Sequence, residues 1–196
     1  MTAFRKPLSG FLAFILVFAF VAVTPIVAFA EDEVIEFSKE EIELNKKESD
    51  GFEYVRTSDG TAAILVGYVG SETEVKIPSS IDSLKVIEIA DEAFMNNTKI
   101  TKVTATNNIT KIGDRVFMGC TALKEVKAIK SVTAMGEAVF EGCTSLTYVT
   151  IPDTVVNIPA RTFYGCTALL EVEAHKNLKS VSPSALTDTA WEKSQP

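Results

Sequence analysis

"FEGCTSL", residues 140–146, has a near copy 23 residues earlier, "FMGCTAL" at 117–123, and another 23 residues later, "FYGCTAL" at 163–169. A fixed spacing of this length marks a stacked repeat. Extending the register outward gathers further columns. Phe94, Phe117, Phe140 and Phe163 share one position, which Leu186 continues. Ahead of it run Val86, Ile109, Val132, Val155 and Leu178, and then Ile89, Ile112, Met135, Ile158 and Val181. Behind it run Ile100, Leu123, Leu146 and Leu169, then Val103, Val126, Val149 and Val172, then Ala105, Ala128, Ile151 and Ala174. Columns held in register this way predict a solenoid.

Within "SLTYVTI" (145–151), Val149 and Ile151 sit in the period-two register of a strand, with Leu146 also facing inward. The expectation is one strand per repeat, paired in parallel with its neighbours at about 4.8 Å. A single repeat cannot bury its own apolar face, so stability comes from nearest-neighbour stacking. Gly119, Gly142 and Gly165 suit a tight turn with positive φ.

The segments "IPSSIDSLKVIEIADEAF" (77–94) and "IPDTVVNIPARTFYGCTALLEV" (151–172) resemble the bacterial leucine-rich repeats of the BspA type. The resemblance runs from Gly51 to Trp191. It implies an α/β, β-rich fold: a right-handed leucine-rich-repeat solenoid of parallel strands with 23-residue repeats and an N-terminal β-hairpin cap. Asn97 and Thr189 depart from the Cys column, and Pro159 stands where Gly is commoner. The chain ends in "TDTAWEKSQP", whereas similar proteins continue into a closing strand. The expected result is an exposed C-terminal edge, open to self-association.

Ahead of the repeats lie three further segments. Residues 1–30 read as a signal peptide: Arg5 and Lys6, an apolar run, Pro25, and Ala28-Phe29-Ala30 before an acidic stretch. An uncleaved anchor is the rival reading. Residues 31–50 hold nine acidic and three basic residues and read as a solvated acidic linker. Ser38 and Glu41 also fit a capping box, so a helix or strand over the first edge is the alternative. Residues 51–78 read as the hairpin cap and first strand, because Ser58-Asp59-Gly60 separates two alternating runs. Residues 79–196 are then the repeats.

The chain carries a net charge of −7, and cleavage after residue 30 would remove Arg5 and Lys6 but no acidic residue. An acidic chain disfavours nucleic acid and anionic membrane surfaces. No membrane insertion is expected after cleavage, and the protein is expected to be secreted or at the cell surface. Cys120, Cys143 and Cys166 read as a ladder of buried thiols, without the spacing of a metal site. His175, the only histidine, reads as a solvated residue past the fourth repeat strand. No catalytic, metal or cofactor motif is present, so the expectation is a protein that is no enzyme and needs no cofactor.

The outward strand residues form the candidate ligand face: Lys102, Thr104, Glu125, Lys127, Tyr148, Thr150, Glu171 and Glu173, with Tyr148 as the central aromatic. A plain solvated sheet with cross-strand charge pairs is the competing reading. The resemblance implies adhesion-type recognition of an extracellular protein or glycan. The alternative is a structural spacer or self-associating repeat protein.

Overall fold

The structure, a computed structural model, describes residues 38–127 and 129–194. The expected signal peptide, the first part of the acidic segment and Ala128 lie outside the described residues. Helix α1 (Lys39–Asn45) opens on the anticipated capping box. The Ser38 hydroxyl accepts from the Glu41 N–H, and the Glu41 carboxylate accepts from the Ser38 N–H at 2.9 Å. Strand β1 (Lys47–Ser49) follows and pairs antiparallel with β2 (Phe52–Arg56). The linker reading of 31–50 therefore needs correction over its described part. A cap satisfies α1, and β1 covers the edge of β2.

Strands β2 and β3 (Ala62–Tyr68) form the expected hairpin around Asp59-Gly60, with Tyr54 opposite Leu65. Then come β4 (Glu74–Lys76), β5 (Ser80–Ile81) and β6 (Leu84–Ile89). The lengthened first repeat is a small hairpin: β5 pairs antiparallel with β6 across Asp82 and Ser83, both at positive φ. The buried Tyr54 hydroxyl donates to Asp82 at 2.5 Å and ties this hairpin to the first one.

Each later turn supplies two strands rather than the expected one. They are β7 and β8 (Lys102–Thr104, Lys111–Ile112), β9 and β10 (Glu125–Lys127, Ala134–Met135), β11 and β12 (Tyr148–Thr150, Asn157–Ile158), and β13 and β14 (Glu171–Glu173, Ser180–Val181). The odd-numbered strands and β4 make one parallel row. The even-numbered strands and β6 make a second, which β3 opens by pairing in parallel with β6. A two-residue strand is too short to show period-two patterning, which is why the second row escaped the sequence reading. A short helix, α2 (Ala190–Lys193), follows the last turn, and Trp191 N–H donates to the Leu169 carbonyl at 2.6 Å.

Opposite the first row, the Phe turns climb as an aromatic stack. Phe94, Phe117, Phe140 and Phe163 stand 5.2–5.5 Å apart between centroids. Tyr68 and Phe52 of the hairpin extend the stack downward. A backbone ladder runs beside it. Phe94, Phe117, Phe140 and Phe163 N–H groups donate at 2.8–3.0 Å to Val116, Val139, Thr162 and Ala185 carbonyls. Holding that geometry requires two left-handed residues per turn. One column is Asn96, Gly119, Gly142, Gly165 and Asp188; the other is Glu92, Arg115, Ala138 and Arg161. The second column contains no glycine, at a cost of about 1–3 kcal/mol per residue that the ladder offsets.

The Phe ladder is continuous, but both strand rows break at the same place. Strands β4, β7 and β9 form one sheet, and β11 and β13 another; β10 and β12 likewise fall in different sheets. Pro159 supplies a physical reason. In its column, Gly113 and Gly136 donate N–H bonds of 2.9 and 2.8 Å to Ile89 and Ile112, whereas proline has no N–H to give Met135. The turns also approach so closely there that a Cβ on Gly136 would lie 2.5 Å from the Gly113 carbonyl carbon. Ser182, next in the column, keeps its N–H bond to Ile158 at 3.0 Å, so what sets Pro159 apart is the missing donor and the ring in its place. Met135 is half-buried where Ile112 and Ile158 of the same column are buried.

Phe140 has an aromatic neighbour on each side and is 1% exposed. Phe140→Ala is expected to cost about 3–5 kcal/mol, while Tyr148→Ala on the open strand face leaves stability nearly unchanged. Urea denaturation of both variants checks the pair of outcomes. A neutral Phe140→Ala would contradict the stack as a structural element.

Candidate functional site

The expected ligand face lies on the first strand row, and the break divides it. On one side, Glu125 of β9 receives two ammonium groups, Lys127 at 2.8 Å and Lys102 of β7 at 3.5 Å. These cations hold the Glu125 carboxyl below its ordinary range, with Lys127 contributing first. Thr104 lies beside Lys127 in register.

On the other side, Tyr148 and Thr150 of β11 meet Glu173 of β13. The Tyr148 hydroxyl donates to Glu173 Oε2, and the Thr150 hydroxyl lies 2.8 Å from the Tyr148 oxygen and 3.0 Å from the same carboxylate oxygen. Glu171 stands next to Tyr148 in register. Tyr148 is 44% exposed as a residue, although its hydroxyl is anchored. The hydrogen bond to Glu173 pushes the Tyr148 phenol up, and the Tyr148 and Thr150 hydroxyls pull the Glu173 carboxyl down.

Between the two groups the break leaves a cleft of about 240 Å³. Glu125, Lys127 and Lys130 line one wall, and Tyr148 and Thr150 the other. Val126, Ile129, Val149 and Pro152 supply apolar lining. Val126 is half-buried although it sits mid-row, where Val103 is buried completely. Four of the anticipated residues thus line one cleft: Glu125, Lys127, Tyr148 and Thr150. Lys102 and Glu173 support it through their bonds. Ile129, Lys130 and Pro152 were not anticipated, because they reach the cleft only where the repeats splay apart. The one signal in the sequence was Pro159 in a glycine column.

The remaining reactive side chains are committed to structure. Cys120, Cys143 and Cys166 are free and buried, and each thiol donates to the Phe carbonyl of the preceding turn: Phe94 at 3.1 Å, Phe117 at 3.1 Å and Phe140 at 3.0 Å. Burial pushes Cys120 up to about 11 and Cys166 up to about 12, and Cys143 is raised as well, so these groups stay thiols. His175 departs from the solvated position expected of it. It is half-buried, with Nε2 2.9 Å from the Val155 carbonyl and Nδ1 accepting from the Asn177 N–H at 3.1 Å. That pair of bonds assigns the proton to Nε2. Among the described residues no cluster of His, Cys, Asp or Glu could hold a metal ion, and no helix is long and apolar enough to cross a membrane.

Comparison with known proteins places this geometry in a wider set. A family model for the BspA type leucine-rich repeat region matches residues 87–194 in six copies. A leucine-rich cell surface protein of Faecalibacterium prausnitzii is similar at 23% identity and a TM-score of 0.58, over 74% of this chain and 46% of its own. A leucine-rich repeat protein of Bacteroides capillosus is 25% identical, with a TM-score of 0.60 over 67% of this chain and 99% of its own. The pneumococcal vaccine antigen PcpA shares the fold at 18% identity and a TM-score of 0.58, over 74% of this chain and 42% of its own. This chain therefore spans about half the length of the first of these, and less of the last. No curated protein matches it in sequence.

The Tyr148–Glu173 bond yields a signed expectation. A carboxylate with a lowered folded-state pKa stabilises the fold above the unfolded value of about 4.3, and that contribution is lost as pH falls through the folded value. Tyr148→Phe removes the leading donor, so the Glu173 titration is expected to move up toward the ordinary glutamate value. Carboxyl-carbon NMR of both forms reads the shift. An unmoved titration would mean that the hydroxyl does not hold the carboxylate in solution.

Proposed function

The chain belongs to the BspA-type leucine-rich repeat family, and from that premise we propose that it is a non-catalytic, exported binding module of the adhesion type. Its ligand would be an extracellular protein or glycan, held on the first strand row. The observation that carries this reading is the interruption of that row. A solenoid sheet normally satisfies its own edges from turn to turn, whereas here the turns part and uncover an aromatic ring, two cations and apolar floor residues. Three further points support it. The similar protein of F. prausnitzii is described as a cell surface protein. Residues 1–30 carry the anatomy of a signal peptide. The thiols and the imidazole are tied to backbone groups rather than to a pocket.

A second reading, a spacer or self-associating repeat, rests on a different observation. Strands β13 and β14 each pair with a neighbour on one side, and nearby Leu170 and Val181 are 66% and 42% exposed. A mass that rises with concentration in light scattering would favour it, and a constant monomer mass would count against it.

The binding reading is tested with the chain from Glu31 onward on an array of immobilised matrix proteins and glycans, beside the Tyr148→Ala/Lys127→Ala double variant. Retention by at least one target, lost in the variant, is the expected outcome. Retention unchanged by the variant would move the ligand off this face.

A further inference from the structure

We infer that the cleft between β9 and β11 takes an acidic saccharide, with the carboxylate of one sugar unit on the lysine wall and the sugar ring against Tyr148. The inference rests on the binding-module reading and narrows it to one ligand class.

Charge is the first argument. The chain as a whole is strongly acidic, at −7, yet the β9 wall of the cleft presents Lys127 and Lys130 against a single carboxylate, Glu125. That carboxylate is shared with a third cation, Lys102. Lys130 is exposed and has no ion-pair partner among the described residues. Positive charge is therefore left over on this wall. A group bearing a carboxylate fits it.

The opposite wall argues for a sugar rather than an acidic peptide. The Tyr148 side chain is held by its hydroxyl bond to Glu173, lines the cleft and belongs to an exposed residue. An aromatic face is electron-rich and attracts the polarised C–H bonds along one side of a pyranose. Around that ring stand hydrogen-bonding groups suited to hydroxyls. The Thr150 hydroxyl is one. Glu173 is another, since the bonds it receives from the Tyr148 and Thr150 hydroxyls both fall on Oε2 and leave Oε1 as an acceptor. Glu171 and Glu173 also place negative charge beyond the ring, so that end of the site takes hydroxyl donors and any further carboxylate of the ligand lies away from it. The site thus calls for an anion at one end and neutral donors at the other. A uronic acid unit has that layout; a run of acidic side chains does not. The volume of about 240 Å³ admits a single sugar ring, with the rest of an oligosaccharide left on the open strand face.

The probe is trigalacturonate, titrated into the chain from Glu31 onward by calorimetry, beside maltotriose as the neutral trisaccharide and triglutamate as the acidic peptide. Trigalacturonate is expected to bind at least tenfold more tightly than either, and more weakly as salt rises. Lys127→Ala/Lys130→Ala should weaken it at least tenfold, and Tyr148→Ala should abolish it. Tyr148→Phe, which keeps the ring, should retain most of it. Unchanged urea midpoints would show that the variants are folded. Equal binding of maltotriose or triglutamate, or an unaltered affinity in the lysine variant, would overturn the inference. If immobilised matrix proteins are retained in a Tyr148-dependent manner while trigalacturonate is not bound, the saccharide inference fails and the binding-module reading stands. If neither is bound, both fail.

Discussion

The backbone ladder beside the phenylalanine stack sets the step from one turn to the next, and the rest of the molecule depends on it. Each turn donates an N–H from its Phe to the turn above, at a distance that varies by only 0.2 Å from Phe94 to Phe163. The rings above and below one another can then fill the space between turns without a gap. The hairpin begins the column with Phe52 and Tyr68, so the first true repeat meets an aromatic surface instead of solvent. Capping in this fold is a matter of starting the column as well as covering an edge.

A rigid Phe side leaves freedom only on the strand side. The two strand rows are held by short pairings of two or three residues, each weaker than the stack they face. The rows part where Pro159 follows Gly113 and Gly136 in one column and withholds an N–H, and the Phe ladder carries the chain across the gap without interruption. The break is thus local. Turns before and after it keep their own strand pairing. Surface ion pairs such as Lys102–Glu125 add little to stability, but they decide which charges remain free to meet a ligand.

Much of this was legible from residue spacing. The period, the six apolar columns, the hairpin at Asp59-Gly60 and the capping box at Ser38 all rest on local chemistry that one sequence displays. The second strand row did not show, because Lys111–Ile112 and its counterparts are too short to alternate. Strand β1 did not show either; its residues, Lys47 to Ser49, are polar and pair through backbone alone. The left-handed column of Glu92, Arg115, Ala138 and Arg161 is invisible to any rule that looks for glycine. His175 was placed in solvent because its partner, the Val155 carbonyl, comes from the preceding turn. The eight strand-face residues were located correctly on their strands, but their division into two groups was not foreseeable without knowing where the row opens.

That division bears on where a repeat protein can hold a ligand at all. Identical turns satisfy one another: each strand's donors meet the next strand's acceptors, and cross-strand carboxylates meet cross-strand ammonium groups. A surface so completed offers a ligand nothing that water does not already supply. Specificity has to come from the turn that differs. Here the third and fourth turns differ in three connected ways: Pro159 replaces glycine, Tyr148 stands in a column otherwise filled by charged residues, and Lys130 is left without an acid partner among the described residues. The proline withholds an N–H, the tyrosine furnishes a fixed aromatic wall, and the lysine leaves the charge. Tyr148 and Lys130 both line the cleft left where the turns part, which is why the proposed recognition is assigned there rather than to the regular face.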